Sequence, residues 1–224
     1  MKLAYAVPLL QDCPGQVFMY HLRAVADASR LVDEVKMVVP LGIMPWDAAR
    51  NQATRDALEL NCDWLWFVDA DTAVPVGAFE KLLASTDRAE VVSGYYVRRG
   101  WPYTSVWSNK VSTGKGDIFC QTTAGEGVHE IHATGLGCAL INLRWCQKHL
   151  QEPWFYYKSA IANDSRIMED LYFCEKVREA GGRIVGDANV RCRHLLQSEF
   201  VDDSNELSLR AKFATALGKG AEDA

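Results

Sequence analysis

No Cys-x-x-Cys pair occurs among the seven cysteines, which fall singly at Cys13, Cys62, Cys120, Cys138, Cys146, Cys174 and Cys192. An odd count without paired spacing excludes a disulfide framework and a thiolate zinc site. Several of these residues sit inside apolar periodic segments, where a free thiol acts as a small hydrophobe. The expectation is a reduced, cytoplasmic protein. Also missing is any apolar run near the ~18 residues that cross a bilayer, so integral membrane association is not expected. Met1, Lys2 and the apolar Leu3–Leu10 imitate a short signal peptide, but no small-x-small cleavage site follows. Tyr5-Ala6-Val7-Pro8 reads instead as a first core strand. Positive charge is not in excess: 24 Lys and Arg against 29 Asp and Glu leave a net charge of −5. That balance argues against indiscriminate binding of a phosphate backbone. Repeats, low-complexity tracts and linkers are absent. What remains is 224 residues, 49% hydrophobic and 24% charged, enough for one domain with a sizeable core. That domain is expected over 1–217, with 218–224 as a disordered tail.

Short β-like apolar runs alternate with helical patterns, the signature of an α/β fold. The pattern predicts strands at Leu3–Val7, Val35–Val39, Trp64–Val68 and Val91–Tyr95. It predicts helices over Pro14–Ser29, over Trp46–Leu60 and near Val76–Ala84. Trp64–Val68 is apolar throughout, as a strand covered on both faces is. From Arg98 to His132 the pattern loosens into Gly, Thr, Ser and aromatic residues without a clear helix. Order returns at Gly135–Leu143 and in a helix around Glu169–Ala180, stopped by Gly181-Gly182. A last helix opens on Asp203-Ser204-Asn205-Glu206, a capping-box spacing. Its expected buried face is Leu207, Ala211, Ala214 and Leu217.

Asp69 and Asp71 close the most hydrophobic strand. Carboxylates at the carboxyl end of a central α/β strand stand where such sheets bind ligands. Residues i and i+2 of a strand share a face, so both acids could approach one hard cation. Left unpaired they would repel, and a metal is the natural neutraliser. The plain alternative has one Asp capping the next helix and the other solvated. Two enzyme classes place Asp-x-Asp after an apolar strand. Phosphatases and phosphotransferases of the haloacid dehalogenase type carry it on an N-terminal strand, with a later Gly-Asp-x-x-x-Asp. Here two strands precede the motif, Thr72-Ala73 follows it, and Gly186-Asp187 meets Arg191 where the last acid belongs.

The second class fits nearly the whole chain. Asp69-Ala70-Asp71, the glycine segment Thr134-Gly135-Leu136-Gly137, Met168-Glu169-Asp170 and His194 occur in that order. Ala49-Arg50-Asn51 stands on the helix before the acidic strand, and Pro8-Leu9-Leu10-Gln11 follows the first strand. In these marks the sequence resembles nucleotide-sugar glycosyltransferases of the GT-A fold, family 2-like. The resemblance implies a single Rossmann-like α/β domain with a mixed, mainly parallel sheet between helices. It further implies a metal-dependent enzyme that moves a sugar from a nucleotide-diphosphate sugar to an acceptor hydroxyl. Asp71 and His194 would then bind Mn²⁺ or Mg²⁺, with Asp69 on the metal or the ribose. Pro8, Gln11, Arg50, Asp69, Arg98, Gly135 and Gly137 would line the donor site, the glycines letting backbone approach the sugar.

Asp170 heads a helical stripe with Phe173, Cys174 and Val177, an unusual place for an acid. Partial burial there would raise its pKa and suit it as the general base of an inverting displacement, with Glu169 as its substitute. Asp170 could equally satisfy backbone N–H groups of the first helical turn. Arg98 and Arg99, followed by Trp101, Tyr103 and Trp107, form a basic pair among aromatics that can clamp phosphates. Trp154-Phe155-Tyr156-Tyr157 cannot all be core in one element, so at least one faces a cleft. The acceptor stays open: a small molecule, a glycan, a protein or a hydroxymethylated DNA base. Two other readings remain beside this one: a phosphatase-like Asp-x-Asp hydrolase, and a catalytically silent module that binds sugar nucleotides or glycans.

Overall fold

A computed structural model describes residues 1–114, 116–159, 166–196 and 199–211. The chain opens with β1 (Lys2–Ala6), α1 (Gly15–Ala28), β2 (Glu34–Val38), α2 (Trp46–Glu59) and β3 (Trp64–Val68). It continues through β4 (Thr72–Ala73), α3 (Ala78–Ala84), β5 (Val91–Tyr95), the β6–β7 hairpin (Ser108–Thr113, Gly116–Gln121) and β8 (Val128–Glu130). Next come β9 (Cys138–Asn142), α4 (Leu143–His149), β10 (Lys158–Ser159), β11 (Arg166–Ile167) and α5 (Glu169–Glu179). Then follow β12 (Ile184–Arg191), β13 (Arg193–Leu196) and β14 (Glu199–Val201), before a final helix that opens at Glu206.

Seven strands form the main sheet in the order β2-β1-β3-β9-β5-β12-β8. β1 pairs parallel with β2 and β3, and β5 pairs parallel with β12, whereas β9 and β8 run against their neighbours. The apolar β3 lies inside this sheet, and its alternation fills both cores. Leu65 and Phe67 join the cluster that includes Ala53 and Ala57 of α2, Cys146 of α4 and Phe173 of α5. Trp66 and Val68 join the cluster with Ala24 and Ala28 of α1 and Phe79 of α3. The sheet is thus covered on both faces, as its unbroken apolar sequence requires. Alanines on the inner face of α2 keep that helix close to the sheet, which draws the long Arg50 side chain inward.

Boundaries differ from the sequence reading by one or two residues for most elements. Three differences matter more. The loosened stretch from Arg98 to His132 contains the β6–β7 hairpin and β8, with no helix among its described residues. The last helix begins at Glu206 with Leu207 72% exposed, while Leu209 packs on the core. Its buried face is therefore offset from the one expected, and Ala214, Leu217 and the expected tail lie outside the described residues. The third concerns Asp69 and Asp71. They follow β3 in a turn that Thr72 N closes onto Asp69 O at 2.9 Å, so the two side chains do not share a strand face.

Candidate active site

β9 runs antiparallel to β3, so its glycine segment arrives beside the carboxyl end of β3, where Asp69 N donates to Gly137 O at 3.1 Å. β13 then pairs with the two-residue β4, setting His194 opposite Thr72 and sending Leu195 N to Asp71 O at 2.8 Å. These two pairings assemble the acidic turn, the glycine segment and His194 at one end of the sheet.

Asp71 Oδ1 and His194 Nε2 lie 3.2 Å apart, and Arg99 pairs with Asp71 Oδ2. The other His194 nitrogen, Nδ1, is 3.1 Å from the Val97 carbonyl oxygen. A carbonyl only accepts, so the proton is assigned to Nδ1. Nε2 then either donates to Asp71 or offers it a lone pair, and a cation between the two groups relieves the second arrangement. A ring N–H held by a backbone carbonyl is the usual support of a histidine metal ligand. Burial pushes the Asp71 carboxyl up, but the His194 hydrogen bond and the charges of His194 and Arg99 outweigh it, leaving its pKa lowered.

Asp69 has a different partner. Arg50 Nη2 donates to Asp69 Oδ1 and Oδ2 at 3.1 and 3.3 Å, and Arg50 Nε donates to Glu169 Oε1 at 3.4 Å. The guanidinium also stands 5.1 Å from the centroid of the Phe67 ring. Arg50 and Glu169 are buried, and Arg50 Nη1 and Glu169 Oε2 have no partner among the described residues. Burial opposes the charge of Arg50, but Asp69 and then Glu169 more than offset it, and its pKa is raised. The two motif acids are therefore each neutralised by a cation of the chain itself. The carboxylates expected to repel one another when unpaired are thus each paired with a guanidinium.

α5 brings Glu169 and Asp170 to the same end. Glu169 is the buried acid of the first turn, whereas Asp170, expected on the apolar stripe, is half-buried beside Phe173 and Cys174. Asp170 Oδ1 accepts from Leu171 N at 2.7 Å, one of the first-turn roles open to it. Burial and then the charge of Glu169 raise its pKa from 3.8 to about 6.

Both glycines face Tyr96. A Cβ at Gly135 or Gly137 would come within 2.7 Å of Tyr96 Oη, which also accepts from Gly137 N at 2.7 Å. Tyr96 meets the His194 ring edge-on at 5.6 Å between centroids. The missing side chains thus make room for this tyrosine, a support the sequence reading did not single out. Pro8 is buried and Gln11 exposed in the loop after β1. That loop reaches the acidic turn through Cys13, whose Sγ donates to Ala70 O at 3.7 Å. Arg98 is exposed, and its neighbour Arg99 is the one that reaches Asp71.

Asn51 fastens the aromatic segment. Its Oδ1 accepts from Trp154 N and Phe155 N at 2.9 and 3.2 Å, and its Nδ2 donates to Phe155 O at 2.8 Å. Trp154 and Phe155 are core, and Tyr156 is 51% exposed, as four adjacent aromatics require. The phosphatase-like Gly186-Asp187 is also interior. A Cβ at Gly186 would strike Trp107, and Asp187 binds its own neighbour Asn189.

Among the described residues no group of three His, Cys, Asp or Glu side chains converges on a metal position. The donor set available is the pair Asp71 and His194. Mg²⁺-type sites commonly use one or two protein ligands and fill the rest with water and substrate phosphates, so the pair fits such an ion.

No protein-family profile matches this sequence, and no curated protein matches it. Solved structures do. A197 from STIV is similar with a TM-score of 0.67 and 18% identity, covering 91% of each chain. GalNAc-T7, solved with UDP, GalNAc and Mn²⁺, gives a TM-score of 0.57 at 14% identity over 88% of this chain. The chain spans 44% of that transferase chain. The resemblance read from the sequence therefore extends to the fold, which is the α/β arrangement of the GT-A proteins.

Proposed function

We propose that this protein is a metal-dependent glycosyltransferase acting on a nucleotide-diphosphate sugar. The observation that carries the reading is the meeting of Asp71 with His194, whose Nδ1 is already engaged by Val97, at the carboxyl end of the central strand. The fold shared with GalNAc-T7, whose structure holds UDP, GalNAc and Mn²⁺, supports it. Asp71 and His194 would hold the ion, Mn²⁺ or Mg²⁺, which when bound supplies Lewis-acid stabilisation to the departing diphosphate.

The chain's own residues carry the remaining work. Arg50 fixes Asp69 on one side and Glu169 on the other, holding the acidic turn and the start of α5 in one register. Asp170 takes the proton of the acceptor hydroxyl as the oxygen attacks the sugar, an inverting displacement. A pKa near 6 keeps Asp170 ionised at neutral pH while leaving it a better base than an ordinary carboxylate. Gln11 and the loop after β1, with Arg98, border the donor site. The acceptor is left at its class, a hydroxyl compound.

Calorimetric titration with nucleoside diphosphates, with and without Mn²⁺, tests this reading. Binding of at least one nucleotide that requires Mn²⁺ and is lost in Asp71→Ala is expected. Equal binding without the metal would contradict it.

A further inference from the structure

Asp71 has two carboxylate oxygens and two nitrogen-bearing neighbours from distant parts of the chain. His194 takes Oδ1, and Arg99 takes Oδ2. Arg99 belongs to a short reversal after β5, closed by Arg98 N to Thr104 O at 2.9 Å and Tyr103 N to Gly100 O at 2.7 Å. Its base is fixed. Val97 bridges to Ser105 and also receives His194, while Arg210 donates to Tyr103 O at 2.9 Å. The Arg99 side chain itself is 56% exposed. An anchored backbone with an exposed guanidinium can change the partner of its side chain without moving the loop.

We propose that Arg99 is a resident counter-cation of Asp71 that exchanges Asp71 for the donor's diphosphate when a divalent ion is bound. The inference rests on the metal reading of Asp71 and His194 given above. A divalent ion on Asp71 and a guanidinium on its second oxygen are like charges at contact distance, and they disfavour each other. Released from Asp71, a planar guanidinium has a better partner at hand. Its fork matches two phosphate oxygens, and the diphosphate carries more negative charge than a single carboxylate. Metal and diphosphate therefore share the cost of breaking one ion pair, so each binds weakly alone and both bind well together. Arg99 acts as a positioning residue and a source of cooperativity.

The exchange predicts effects of opposite sign from one substitution. The probes are Mn²⁺ alone, and inorganic pyrophosphate at saturating Mn²⁺, titrated calorimetrically into the full chain. In Arg99→Ala the affinity for Mn²⁺ alone rises, while the affinity for pyrophosphate with Mn²⁺ falls. The coupling between the two shrinks by roughly five- to a hundredfold, the usual range of such linkage. Arg99→Lys keeps the charge without the fork, so its Mn²⁺ affinity stays near wild type while pyrophosphate binding falls. Circular dichroism confirms that these exposed-site variants remain folded. A wild type that binds both ligands, with both affinities falling or neither changing in Arg99→Ala, overturns the exchange and leaves the metal reading intact. A wild type that binds neither ligand overturns the metal reading and the exchange with it.

Discussion

Asp71 and His194 stand 123 positions apart in the chain, yet Oδ1 and Nε2 are 3.2 Å from each other because β13 pairs with the two residues of β4. If that contact is a ligand pair, removing the imidazole acts chiefly when the ion is present. His194→Ala should lower Mn²⁺-supported nucleotide affinity by roughly tenfold or more. It should also cost about 1–2 kcal/mol of metal-free stability, through the lost hydrogen bonds to Val97 and Asp71. Calorimetry and urea unfolding separate the two effects, and unchanged nucleotide affinity would remove His194 from the site.

Arg50 bridges two acids, Glu169 being as buried as Arg50 itself. Arg50→Ala should destabilise the fold by about 3–5 kcal/mol, the usual consequence of leaving a buried charge unpaired. Glu169→Gln in the same background should recover part of that loss by removing the stranded charge. Thermal unfolding of the single and double variants reads both. A loss under about 1 kcal/mol for Arg50→Ala would mean that water already shields Glu169.

If Asp170 is the general base, its titration sets the acid limb of activity. With its pKa raised from 3.8 to about 6, kcat/KM should climb with pH and level off above about pH 6. Asp170→Asn should lower turnover by roughly a hundred- to ten-thousandfold with donor affinity unchanged. Stability moves the opposite way. The folded state favours the protonated acid, so this contribution is complete below pH 3.8 and is lost as pH rises through about 6. Asp170→Asn should therefore be relatively more stable than wild type at pH 7 than at pH 4. A product with retained anomeric configuration by NMR would end the direct-displacement mechanism.

Asn51→Ala removes three hydrogen bonds to the backbone of Trp154 and Phe155. Orphaning buried amide groups costs about 1–3 kcal/mol each, so a loss of at least about 2 kcal/mol is expected. The measurement is the urea midpoint. Increased protease cutting near Pro153 at native conditions should accompany it.

Much of this was legible in the sequence for definite physical reasons. Trp64–Val68 read as a two-faced central strand because its apolar run has no polar face to mislead. Asp69, Asp71, Glu169, Asp170 and His194 were gathered by the resemblance, and the fold brings them to one end of the sheet. Periodicity could not show why, since β4 and its pairing with β13 involve two residues each. The β6–β7 hairpin escaped notice because a ribbon such as Ser-Asn-Lys-Val-Ser-Thr has no continuous apolar face. Leu207 was assigned inward from spacing alone, but Leu209 is the residue that meets the core. Nothing local distinguished Arg99 from Arg98, or marked Tyr96 as the side chain for which Gly135 and Gly137 stay bare.

The proposed metal-dependent sugar transfer from a nucleotide donor stands or falls with Asp71. The most direct measurement is release of nucleoside diphosphate from a panel of nucleotide sugars, with and without Mn²⁺, by wild type and Asp71→Ala. Release from one or a few donors that requires Mn²⁺ and disappears in a folded Asp71→Ala protein is expected. Wild-type release by Asp71→Ala, or metal-independent release, would contradict it.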